Sequence, residues 1–98
     1  MTFTVRAVDW EQGKVLVQSL RESVFVVEWR IPQTNEFDSQ DETATHVVMF
    51  DDADKAIATG RLTQTGELGR IAVNRNHRTL LVYKTLFATL IDCNNVSN

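Results

Sequence analysis

Ninety-eight residues, 43% of them hydrophobic and 23% charged, suffice for one small domain spanning residues 1–98 and are too few for two cores. A net charge of -3 argues against nucleic acid or an anionic membrane as an electrostatic partner. The single cysteine, Cys93, excludes an intrachain disulfide, and residues 2–8 alternate in polarity and include Arg6, unlike a signal peptide or a spanning segment. The expected compartment is the cytoplasm.

Phe3, Val5 and Ala7 recur with a period near two and predict a first strand over residues 3–8. Val15, Leu16, Ser19, Leu20, Ser23, Val24 and Val27 then fall at helical spacing. They predict a helix over residues 11–28, with Arg21 and Glu22 on its opposite, solvated face. The run Val24-Phe25-Val26-Val27 is strand-like by propensity and works against that helix. Ile31-Pro32 closes the element, because the residue before proline is pushed out of the helical region.

Residues 33–45 are polar and acidic and predict a surface loop with room for one helical turn. Strands are predicted over 45–50, 56–63 and 67–74, separated by Asp51-Asp52-Ala53-Asp54 and by Thr65-Gly66, so an antiparallel meander is the simplest pairing. A last helix over residues 79–93 puts Leu80, Tyr83, Leu86, Phe87, Leu90 and Ile91 on one broad face, with Asn94-Asn95 ending it. The order strand, helix, loop, three strands, helix describes an α+β fold, a mostly antiparallel sheet with helices packed against it.

The run GRIAVNRNHRTLLVYKTL, residues 69–86, resembles the acyl-CoA-binding strand, loop and helix of the GNAT N-acetyltransferase superfamily. Arg21 through Glu28, Ile31-Pro32 and Glu36-Phe37-Asp38 look like the first helix and following loop of one branch of that superfamily. Ala44-Thr45-His46 and Ala58-Thr59-Gly60-Arg61-Leu62 look like its next two strands. The resemblance covers nearly the whole chain in the right order. It implies a GNAT-like acyl-CoA N-acyltransferase fold and acetyl-CoA, or another acyl-CoA, as cofactor.

It also implies particular roles. Main-chain atoms of Ile71, Ala72 and Val73 would bind the pantetheine arm as an added strand does. Arg78, Thr79, Leu80, Leu81, Val82 and Tyr83 would occupy the loop whose amides wrap the pyrophosphate at a helix N-terminus. Glu28 would lie near the entering amine, able to accept its proton.

Two departures stand against this pattern. Leu81 and Tyr83 take the two positions where glycine allows close phosphate approach, and Thr79 sits where a further glycine is common. Members of the superfamily also continue past the corresponding helix into a further strand, a helix and closing strands. The expectation is therefore the N-terminal portion of the fold, through the cofactor-binding helix and without the C-terminal strands. That arrangement leaves an open edge on the strand over 67–74, which a second copy could cover through Leu80, Leu81, Val82 and Tyr83.

Each remaining candidate has a plain alternative. Arg78 is either a phosphate contact or a solvated residue before a helix, and Glu28 either a base or a solvated helix end. His46 is a base or a structural histidine. Glu36, Asp38, Asp41 and Glu42 either steer a cationic amine or merely solvate a loop. Cys93 reads as a small apolar residue, and His46 and His77 have no companions at ligand spacing, so no metal is expected. Two functions follow: an N-acyltransferase acting on a primary amine of unspecified identity, or a catalytically silent, homodimeric binding module with the same fold. A fragment whose other half restores activity is a third reading.

Overall fold

The computed structural model describes residues 3–30 and 39–97, with side chains described through Cys93. Strands β1 (Thr4–Val8), β2 (Thr45–Phe50), β3 (Ala56–Leu62) and β4 (Leu68–Val73) form a four-stranded sheet in the order β1-β2-β3-β4, every pair antiparallel. The meander read from the turns is the one that forms. Asp51 closes the β2–β3 turn by accepting hydrogen bonds on Oδ1 from the amides of Ala53 and Lys55. The β3–β4 turn closes through Gly66, whose φ of 91° is left-handed backbone that glycine adopts without strain.

Helix α1 (Trp10–Arg21) starts at Asp9, whose carboxylate accepts the Gln12 amide at 2.8 Å as an N-cap. The chain continues as a π-helix over Glu22–Glu28, with the Trp29 amide bonded five residues back to the Val24 carbonyl at 3.0 Å. The strand-like run Val24-Phe25-Val26-Val27 is thus helical after all. Burial decides it: Val24 and Phe25 pack on Ala72 of β4. A short 3-10 turn (Ser39–Glu42) precedes β2, another (Arg75–His77) follows β4, and α2 (Leu80–Ser97) ends the described chain.

Alternation along β2 sorts the core into two layers. Val47 and Met49 join Ile57, Ala58, Leu62, Val73 and the α2 residues Val82, Leu86 and Leu90. Val48 and Phe50, on the other face, join Val17 and Leu20 of α1. The two long helices therefore cover opposite faces of the sheet, and β2 is buried on both.

Several expectations need correction. Arg21, placed on the solvated face of the first helix, is fully buried, whereas Val15 of the expected apolar face is 79% exposed and Val27 69%. The buried stripe is Gly13, Val17, Leu20, Arg21 and, past the π transition, Val24. On α2 the buried stripe is Val82, Leu86 and Leu90, while Leu80, Phe87 and Ile91 are exposed; the helix also runs through Asn94 and Asn95 to Ser97. The Ile31-Pro32 stop, Glu36 and Asp38 lie outside the described residues. Among the described residues, no helix is long and apolar enough to cross a membrane.

Candidate functional site

β4 is irregular where it matters. Its register with β3 runs Val73 to Ala58 and Ala72 to Thr59, then resumes at Gly69 to Arg61, so Arg70 and Ile71 together oppose Gly60. This is a two-against-one bulge. Arg70 holds it with a φ of 50°, a left-handed conformation that costs a non-glycine residue free energy and collects at ligand-binding sites. Gly60 permits it, because a Cβ there would stand 2.8 Å from both Ile71 Cδ1 and Leu90 Cδ1. The sequence reading named Ile71 but missed Arg70; the available signal was a glycine, Gly60, inside a strand pattern.

Beyond Val73, the Asn74 side chain accepts the Asn76 amide at 3.0 Å and opens the Arg75–His77 turn. Thr79 is the residue before α2, and its hydroxyl accepts the Val82 amide at 3.3 Å in the manner of an N-cap. One of the amides expected to face a phosphate is thereby already engaged. The Val82 side chain is sealed in the core, Tyr83 is half-buried against it, and Leu80 and Leu81 are 71% and 60% exposed. Ile71 is half-buried, whereas Ala72 and Val73 are buried on opposite faces of the sheet.

Arg78 joins three elements. Its Nε donates to the Val73 carbonyl at 3.1 Å, and its Nη2 lies 3.0 Å from Glu28 Oε1 and 2.7 Å from Glu28 Oε2. The Trp29 indole also donates to Glu28 Oε2 at 2.8 Å. The Arg78 hydrogen bond, aided by Trp29, holds the Glu28 carboxyl below its ordinary pKa. Glu28 and Arg78, named separately from the sequence, are thus brought together, and in this arrangement the carboxylate is a weaker base than a free glutamate.

The pair stands beside a cleft of about 540 Å³ lined by Ser23, Val24, Val27, Glu28, Asn74, Arg75 and Asn76. One wall is the π-helix and the other the turn after β4. A carboxylate, a guanidinium and two amides in one cleft can hold a polar molecule carrying both an amine and an acceptor group.

The other candidates lie elsewhere. Asp41 is buried, its Oδ1 accepting from Arg21 Nη1 at 2.8 Å and Arg61 Nη1 at 3.1 Å, so it is a core anchor and no steering charge. Glu42 is exposed. His46 is fully buried beside these three side chains, its Nε2 facing the Asp41 carbonyl at 2.9 Å and its ring 5.0 Å from that of Trp10. A carbonyl only accepts, so Nε2 carries the proton, and burial lowers the histidine pKa. It is a structural histidine. Burial and the neighbouring Asp92 raise the Cys93 thiol pKa, keeping it protonated near neutrality. Among the described residues no three His, Cys, Asp or Glu side chains converge as metal ligands.

Neither a protein-family model nor a curated protein matches the sequence. Solved structures do. A Pseudomonas aeruginosa acyl-CoA N-acyltransferase aligns with a TM-score of 0.80 at 19% identity, over 93% of this chain and 69% of that one. A Lactobacillus plantarum protein assigned as an N-acetyltransferase aligns with a TM-score of 0.78 at 22% identity, over 91% of this chain and 64% of that one. Glucosamine-6-phosphate N-acetyltransferase from Arabidopsis thaliana gives 0.64 at 17% identity, over 98% of this chain and 77% of that one. The chain has the GNAT acyl-CoA N-acyltransferase fold, as its sequence resemblance implied, and spans about two thirds of the length of the first two proteins.

Proposed function

We propose that the protein is an acyl-CoA-dependent N-acyltransferase that acts on a primary amine. The observation that carries this reading is the bulged edge strand β4, ending beside a polar cleft and feeding an 18-residue helix through a cationic turn. Similarity to N-acetyltransferases in fold supports it. Among the described strands β4 pairs only with β3, so alternate amides and carbonyls from Ile71 to Val73 face away from the sheet, the Val73 carbonyl being already taken by Arg78 Nε. These can bind an extended amide-containing arm as a further strand would.

Acyl-CoA would supply the acyl group as a thioester, with Ile71, Ala72 and Val73 along its arm and Arg78, Thr79, Leu80 and Leu81 at its phosphates. The fit is uneven. The amides of Leu80 and Leu81 and the α2 dipole favour an anion, but Thr79 already takes the Val82 amide, and Leu81 and Tyr83 stand where glycine would allow the closest approach. The protein's chemical tasks are then three. Strand amides at the bulge stabilise negative charge developing on the acyl oxygen. The cleft of Glu28, Asn74 and Asn76 orients the amine. Glu28, once free of Arg78, accepts the amine proton directly or through water.

A second reading is favoured by the exposed Leu80, Leu81, Phe87 and Ile91 on α2: a silent module of the same fold that pairs with a second copy. Val82, buried in the core, drops out of that surface. Thermal melting with and without millimolar acetyl-CoA separates the two readings. A ligand that binds only the native state raises the midpoint by mass action, so an unmoved midpoint sinks the enzyme reading. Light scattering at micromolar concentration then tests the homodimer, and a stable monomer rules it out.

A further inference from the structure

We propose that the Glu28–Arg78 ion pair is a latch, an internal carboxylate that competes with the diphosphate of acyl-CoA for the Arg78 guanidinium. This rests on the acyl-CoA reading above and adds a regulatory device to it. The guanidinium is already oriented, because its Nε is fixed to the Val73 carbonyl at the end of β4. Its outward edge meets both oxygens of Glu28, at 2.7 and 3.0 Å. Carboxylate and phosphate are alternative acceptors for the same guanidinium fork, so one must leave for the other to bind.

The pair is built to open. Its side chains are 30% and 29% exposed, so a ligand reaches them from solvent. A pair this exposed to solvent is weak, and a dianionic group displaces it readily. Glu28 ends the π-helix, and two residues on Arg30 has a left-handed φ of 59°, so the latch joins an irregular segment to the turn before α2. Opening it changes the charge beside the carboxylate to which the Trp29 indole donates, which makes Trp29 a reporter.

Calorimetric titration with coenzyme A, and with pantetheine, which lacks the diphosphate, tests the latch in the wild type, Glu28→Gln, Arg78→Ala and the double variant, each checked for folding by melting. Glu28→Gln should bind coenzyme A roughly twofold to fivefold tighter, the factor an exposed ion pair can withhold. Pantetheine affinity should not change, and the gain should vanish in the Arg78→Ala background. Coenzyme A, but not pantetheine, should shift wild-type tryptophan emission, and Trp29→Phe should abolish the shift. If the wild type binds coenzyme A and folded Glu28→Gln binds it equally or more weakly, the latch is wrong and the acyl-CoA reading stands. A gain that persists without Arg78 also overturns the latch, since it reports general repulsion. If neither coenzyme A nor pantetheine binds any of the four proteins, the acyl-CoA reading fails and the latch fails with it.

Discussion

Asp41 holds two guanidinium groups on one carboxylate oxygen, and all three side chains are out of water. Removing the anion takes a charged partner from two buried cations, the costly way to break a buried pair. Asp41→Ala should lower stability by about 3–5 kcal/mol in urea titration, and a loss under about 1 kcal/mol would refute the anchoring role. His46 adds a pH dependence. In the unfolded chain it titrates near 6.5, whereas burial lowers its pKa in the fold. Protonation would add a proton at Nδ1, which has no hydrogen-bond partner, beside the cations Arg21 and Arg61; Asp41 opposes them without reversing the shift. Between the two pKa values the unfolded state binds more protons, so stability is full above pH 6.5 and falls as pH drops below it. Melting temperature against pH should show that fall in the wild type and a flatter profile in His46→Gln.

The elements were legible where their signals are local. Asp51 and Gly66 act within their own turns, and the short apolar run of β2 between turn signals needs no distant partner. The helices were harder to orient. α2 is apolar around much of its circumference, so its sequence offers several stripes, and the sheet selects Val82, Leu86 and Leu90. Arg21 reads as a surface residue because its partner, Asp41, is twenty residues away. The site suffers most from distance: Glu28 and Arg78 stand fifty residues apart, and nothing in an arginine marks Arg70 for positive φ. Packing of α2 against the bulge is the element most open to test. Leu90→Ala removes a fully buried side chain and should cost about 2–5 kcal/mol. Gly60→Ala forces a methyl to 2.8 Å from Ile71 Cδ1 and Leu90 Cδ1, and should cost about 1–3 kcal/mol. Because both atoms are ends of flexible side chains, Gly60→Ala combined with Leu90→Ala should cost less than the sum. Strict additivity would show that the two sites do not share that contact.

At the scale of the molecule, the sheet has a protected middle and two unequal edges. β2 is bonded on both sides and buried on both faces, and β3 is bonded on both sides, so their amides should exchange slowest and report global unfolding. β1 and β4 each pair with one described neighbour and should open locally at lower free energy. A bound ligand distinguishes these edges. If acyl-CoA lies along β4 and the turn before α2, any opening of that edge must first release it, so local exchange there slows by the full mass-action factor. Opening of β1 releases nothing, and its local exchange should not change. Hydrogen exchange with saturating coenzyme A should therefore add protection at Ile71, Ala72, Val73 and residues 78–81, and leave the fraying of Thr4–Val8 as it was. Protection gained instead at Val15, Gln18, Ser19 and Glu22 would put the ligand on the outer face of α1, where a separate depression lies, and remove β4 from the site.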